Sequence, residues 1–382
     1  MSISSTHPKE PSLGPDLEGR RHEKPLHNTF HELYVNEFHP IWNVAFMATG
    51  ITACILYNFP YPAEWLRICG YIMWGISLLL FFIVTILTPW RLWKEPDWPL
   101  LTDPSLNVFL GPYSMGFSTI VNMVHFISQE HWPIGTFVLW WINVALAVVI
   151  SWAVIFQLFA KSKLDYHTLQ ASLILPVLPL SVSASSGALI VSNLPNARLK
   201  LLTIVVSFLL WSIAVFIGSC FIGIFFWKLL TSKLPPKPAI FSVFAPIGLI
   251  GHASWGILLQ GINANDYIVE YTDLDQKAVI GMVLKIISFP IGIFFLGFGF
   301  FLTFLAFAVW FYHGWAPFSK SWWPMPFPIG AMSLGLSEVY RASGMESFRV
   351  LGAIYGVTCI IFVILSLIGS AVYEFPRRKR LM

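Results

Sequence analysis

The sequence predicts an all-α polytopic membrane protein whose ten transmembrane helices form five helical hairpins around a central pore, with quasi-fivefold symmetry. Three observations predict it. Of the 382 residues, 56% are hydrophobic and only 11% charged, with a mean hydropathy of +0.70, whereas soluble proteins are about 25% charged. Proline-bearing apolar stretches recur: taking Pro40, Pro112, Pro179, Pro246 and Pro328 as markers, the intervals are 72, 67, 67 and 82 residues, a repeat of roughly 70 residues. Repeats of two spans keep one orientation, and parallel repeats are related by an axis along the membrane normal.

The chain divides into a tail over residues 1–38, a transmembrane domain over 39–374 and a short basic tail over 375–382. The first tail is polar and proline-containing, with no apolar core behind its charges, so it reads as soluble rather than as a cleaved signal. His27, His31 and His39 lie at its end without cysteine or regular acidic spacing, so no metal site is assigned. Phe30 to Phe38 reads as a juxtamembrane segment at the interface.

About 20 apolar residues cross a bilayer, which places spans near 40–58, 64–88, 106–128, 133–160, 168–193, 199–231, 239–262, 277–313, 318–341 and 346–374. The odd spans carry the prolines and the small polar residues; the even ones are more uniformly apolar. In the first, Asn43, Met47, Gly50 and Cys54 share a face. In the third, Gly111, Ser114, Ser118 and Asn122 do so beside Pro112. The fifth aligns Pro179, Ser183, Ser186 and Gly187, and the seventh carries Pro246, Gly251 and His252. The eighth reads as one tilted helix bent at Pro290. The ninth holds Trp322-Trp323-Pro324-Met325-Pro326-Phe327-Pro328, then Gly330 and Ser333. A proline inside a span kinks it and is tolerated where neighbouring helices or a water-filled cavity re-satisfy the freed backbone, so Pro112, Pro179, Pro246 and Pro328 are expected as kinks. Stripes of small residues also let helices pack closely; five in register, each with a proline, favour a pore. The expected lining is Asn43, Gly50, Ser114, Ser118, Asn122, Ser183, Ser186, Gly251, His252, Gly330 and Ser333.

Loop charge sets orientation. With the first tail cytoplasmic, 16 of the 23 basic residues fall on the inner side, and Asn263 to Gln276, with Asp266, Glu270, Asp273, Asp275 and no basic residue, forms an outer loop. Both termini are then cytoplasmic. Ionisable residues at membrane depth are few. His252 faces an anion or bonds a neighbouring helix, Lys285 snorkels outward, His125 sits at the interface, and Glu338, Arg341 and Arg349 read as structural ion pairs at an outer turn. The four cysteines lie in apolar runs without disulfide or zinc spacing.

These residues exclude several functions. The pore stripes hold no acidic residue for a metal cation or a proton relay, and no phosphate loop or nucleotide motif powers a pump. An intramembrane enzyme needs paired carboxylates, a Ser/His dyad or a metal cluster, and only His252 with the serines of the fifth span approaches one. No cofactor and no nucleic-acid partner is expected. Amide donors of kinked helices together with serine hydroxyls favour a small anion.

The segment from Gly50 to Cys69, with Pro112-Tyr113-Ser114-Met115-Gly116, Phe327 to Gly335 and Phe348-Arg349-Val350-Leu351-Gly352, resembles the fungal sulfite efflux pumps. These belong to the tellurite-resistance and dicarboxylate transporter family, with the malic acid permeases and the plant guard-cell slow anion channels. The resemblance covers nearly all of residues 38–374. It implies ten helices in five hairpins around a pore, a homotrimer with one pore per subunit, and a gating phenylalanine of the ninth helix, here Phe327. Where those pumps tend to carry a Gly-Pro-x-Gly-Gln run, this chain has Leu249 and His252 in place of the proline and glutamine; Ser114 replaces another common proline. The expectation is efflux of sulfite or hydrogensulfite across the plasma membrane, with C4-dicarboxylate (malate) transport or a general small-anion channel as alternatives.

Overall fold

The computed structural model describes residues 38–128, 131–161, 170–314 and 316–379; the expected N-terminal tail, with His27 and His31, lies almost wholly outside them. Among the described residues there are ten principal helices and no strand: α1 (Trp42–Tyr57), α2 (Glu64–Lys94), α3 (Gly111–Ser128), α4 (Pro133–Ala160), α5 (Leu178–Ile190), α6 (Ala197–Ser232), α7 (Ala245–Tyr271), α8 (Lys277–His313), α9 (Pro326–Ser343) and α10 (Glu346–Lys379).

The odd helices close a ring. Each packs on the next, α1 on α3, α3 on α5, α5 on α7, α7 on α9, and α9 back on α1. Each odd helix also packs on the even helix that follows it in sequence, so five hairpins surround one axis. Burial separates the layers: α1 buries 14 of its 16 residues and α5 12 of 13, whereas α6 buries 9 of 36. Eight of them recur every three or four positions, Thr203, Ser207, Leu210, Ala214, Gly218, Phe221, Phe225 and Lys228, with Ile222 beside Phe221, the single inward stripe of an amphipathic helix. The opposite faces present Phe216, Leu230, Phe294, Phe304 and Phe311 outward, large apolar groups suited to hydrocarbon. This is an all-α polytopic membrane protein.

Among the described residues, six helical stretches are long and apolar enough to cross a membrane, and α1, α3, α5 and α9 are not among them. At 1.5 Å per residue, the 13 residues of α5 reach about 20 Å, short of the roughly 30 Å hydrocarbon core. Four of the five inner helices, α3, α5, α7 and α9, are preceded by tighter 3₁₀ turns over Val108–Leu110, Ala171–Ile174, Lys237–Phe244 and Lys320–Trp322 respectively. Irregular backbone at membrane depth is tolerated where protein buries it, and the even helices do so here.

This changes the role of the prolines. Pro112, Pro179, Pro246 and Pro328 do not kink helix interiors; they stand within the first turns of α3, α5, α7 and α9. There the missing N–H costs nothing and the fixed φ suits the helix, so each proline marks the switch from 3₁₀ to α geometry. The expected outer loop is shorter than its charges suggest, since α7 continues through Tyr271, held by the Asn263 Nδ2–H donated to Ala188 O at 2.7 Å. The chain reverses over Thr272 to Gln276, Gln276 taking φ 60°.

Candidate functional site

Two buried aromatic side chains, from α7 and α9, meet inside the ring. His252 lies nine residues before Gly261, whose missing Cβ faces Ser288 of α8. Nine residues are about 2.5 helical turns, so His252 points away from the outer helix and into the ring. On α9, Gly330 faces Ile51 and Ile55 of α1, and Ala331 lies against Gly251 of α7. Phe327, one turn before both, projects between those directions toward the axis. The two rings meet there, stacked with centroids 5.2 Å apart and planes 21° from parallel. Each residue is only 1% exposed.

Phe327 is placed by its neighbours in sequence. Trp323 is buried and donates its indole N–H to Ser370 Oγ on α10 at 3.1 Å, which anchors the turn before α9. Pro326 and Pro328 then fix the backbone on both sides of the aromatic ring. His252 is held by Ser185 of α5, Nδ1 lying 2.9 Å from Oγ, and Trp255 packs at a ring separation of 5.8 Å. Three inner helices thus converge on one point.

Other buried polar atoms of the inner helices have no hydrogen-bond partner: Asn43 Oδ1, Asn122 Oδ1, Ser181 Oγ, Ser186 Oγ, His252 Nε2, Trp255 Nε1 and both amide atoms of Gln260. Buried groups without partners are costly; others stand on the outer helices, among them Ser151, Ser207 and Ser366. Of the residues expected to line the axis, Asn43, Asn122, Ser186 and His252 each keep such an atom, and Asn43 Nδ2 donates to Phe109 O at 3.1 Å.

Three further expected residues are engaged elsewhere. Asn143 of α4 enters between α3 and α5, accepts from Ser114 Oγ at 3.0 Å, and donates to Ser118 Oγ at 2.6 Å and to Ser183 Oγ at 2.5 Å. The hydroxyls of Ser114, Ser118 and Ser183 are therefore turned toward an outer helix, a correction to their expected place on the anion path. The small residues likewise serve close packing. A Cβ on Gly50 would lie 1.9 Å from Thr119 Oγ1, and one on Gly251 would lie 2.5 Å from the carbonyl carbon of Ala331. Gly330 abuts α1 and Cys359 of α10, and Ser333 donates to Gly352 O at 2.7 Å. Stripes at this spacing bring helices together, and each of these faces a helix rather than the axis.

The charges at the C-terminal end of α9 and in the turn after it are paired. Arg341 pairs with Glu338 at 2.9 Å. Arg349 pairs with Glu346 at 3.2 Å, donates to Pro60 O and stacks over Tyr61. Lys285 is exposed on the outer face of α8, as its snorkelling requires. Asn143 and Trp255 were not among the residues expected from the sequence, and Ser185 entered only as one of the fifth-span serines set beside His252; a lone asparagine in the apolar fourth span is the signal that marks an interhelical bond.

The profile of the voltage-dependent anion channel family matches residues 37–371. The sulfite efflux pump of Candida albicans is 31% identical over 95% of this chain and 80% of its own length. That of Saccharomyces cerevisiae is 29% identical, covering 90% and 88%. An uncharacterized transporter of Methanocaldococcus jannaschii is 23% identical, covering 86% and 90%.

Proposed function

The chain belongs to the voltage-dependent anion channel family, a membrane transport protein and not an enzyme, and on that premise we propose that it exports sulfite or hydrogensulfite through the axis of its helical ring. The observation that carries the reading is the closed ring of short buried helices meeting at Phe327 and His252, in a chain whose relatives include sulfite efflux pumps. Phe327 is the gate: an apolar ring across a narrow lumen excludes water, and an anion must shed hydration to pass.

The lining is neutral. Arg341 is the single lysine or arginine on α1, α3, α5, α7 and α9, and it is paired with Glu338. A dicarboxylate needs a fixed cation for its second carboxylate, so a singly charged anion fits better, and weak binding by a neutral lining permits fast release. The protein works as a homotrimer in the plasma membrane with both termini cytoplasmic, an orientation supported by its basic inner loops.

Purified protein in vesicles loaded with sulfite, malate, chloride or nitrate tests the assignment. Sulfite efflux that follows an imposed potential without ATP is the expected result. Malate flux exceeding sulfite flux would make the chain a dicarboxylate transporter, and strict dependence on ATP would overturn the passive mechanism.

A further inference from the structure

The hydrogen bonds around His252 fix which of its nitrogens carries the proton. Ser185 Oγ lies 3.0 Å from Val182 O and 2.9 Å from His252 Nδ1. Two electronegative atoms at such separations need a hydrogen between them, and here there are two contacts to supply. The carbonyl carries no proton and the hydroxyl carries one. If the hydroxyl gave its proton to Nδ1, its oxygen would face the Val182 carbonyl lone pair to lone pair. The arrangement that satisfies all three groups has Oγ–H donated to Val182 O and Nδ1–H donated to Ser185 Oγ. A neutral imidazole protonated on Nδ1 is bare on Nε2. That Nε2 is buried without a partner, and its ring faces the axis against Phe327.

The geometry points to His252 Nε2 as a hydrogen-bond acceptor on the anion path that selects oxyanions carrying their own O–H group, hydrogensulfite over anions of like charge that have no proton to give. This rests on the anion path proposed above and specifies the form of its substrate. An acceptor repels the lone pairs of a fully deprotonated anion, while a monoprotonated one turns its hydroxyl toward Nε2 and presents its charged oxygens to donors. The indole N–H of Trp255, buried without a partner and in ring contact with His252, is such a donor. Discrimination by one hydrogen bond is about three- to tenfold.

Methanesulfinate is the matching probe, since it keeps the pyramidal SO2 head and single charge of hydrogensulfite but replaces the hydroxyl by methyl. Vesicles at mildly acidic pH, where monoprotonated sulfite predominates, give the ratio of hydrogensulfite to methanesulfinate flux. Three variants separate the nitrogens. His252→Asn keeps a donor at the Nδ1 position for Ser185 and removes the acceptor, so the ratio should fall about three- to tenfold. His252→Gln returns an amide oxygen to the Nε2 position and should hold the ratio near that of the unmodified protein. Ser185→Ala leaves the imidazole in place but frees its tautomer, and should lower the ratio as well.

Using a ratio cancels any change in gating, which alters both fluxes together. Ring-¹⁵N histidine spectra, with the His252 signal assigned by its loss in His252→Asn, give a readout independent of transport and should show a protonated Nδ1 with a bare Nε2. An unchanged ratio in both His252→Asn and Ser185→Ala, with flux retained, overturns the inference while leaving anion transport standing; so does a spectrum with the proton on Nε2. Absence of flux for every anion in the unmodified protein instead refutes the transport reading itself.

Discussion

Truncating Phe327 to alanine separates a gate from a packing residue. The ring is 1% exposed, and its defined aromatic partner is His252, a contact worth about 0.5–1.5 kcal/mol beyond area burial. If the ring occupies a lumen, its loss removes that contact and opens a path that water can fill, so stability falls by about 1 kcal/mol. The barrier falls further. Stripping an ion of hydration costs several kcal/mol even after relaxation, and each 1.36 kcal/mol recovered is tenfold in rate. Phe327→Ala should therefore raise anion conductance by at least about tenfold with a small drop in thermal midpoint. In a close-packed core the same change leaves a cavity costing about 3–5 kcal/mol and opens nothing. Currents and thermal unfolding measured on one purified sample decide between them, and a destabilised, silent variant refutes the gate.

Replacing Asn143 by leucine strands Ser114, Ser118 and Ser183, each buried; at about 1–3 kcal/mol for an unsatisfied group, partly relieved by rotation to helix carbonyls, a loss of about 2–4 kcal/mol is expected in detergent unfolding. Gly251→Ala forces a Cβ against backbone of Ala331 and Met332, so α7 and α9 must separate and stability should fall by about 1–3 kcal/mol or more. Gly223→Ala on α6 meets nothing within 4 Å, and should be neutral or stabilise by about 0.5–1 kcal/mol; equal effects at the two glycines would contradict the packing. His39, before α1, accepts the Ile41 N–H on Nδ1 at 3.1 Å, and burial, then Lys320 and Arg91, hold its pKa below the ordinary 6.5. The fold thus favours neutral His39, a stabilisation present above pH 6.5 and lost as pH falls through the lowered value. Thermal midpoints recorded from neutral toward acidic pH should decline, and His39→Asn, which keeps an acceptor there, should flatten the decline.

Composition and repetition alone determined the class of this protein. Charge is so scarce and apolar runs so long that water cannot be the solvent, and a period near 70 residues returning the same proline-bearing pattern specifies five like units, hence a ring. The even helices were also legible, because a helix facing lipid announces its length in hydropathy. What the sequence left undecided was direction. A small or polar residue on a buried helix serves a lumen and a neighbouring helix equally well, since both demand little volume and a hydrogen bond. Only the packing showed that Ser114, Ser118 and Ser183 turn to Asn143 while His252 turns to Phe327. The prolines were ambiguous for a similar reason: an absent N–H breaks a helix in its interior and starts one in its first turn, and where the turn begins depends on the 3₁₀ segments that the outer helices bury. The proton on His252 lies furthest from the sequence, for it depends on two contacts of a serine that stands 67 residues away in the chain.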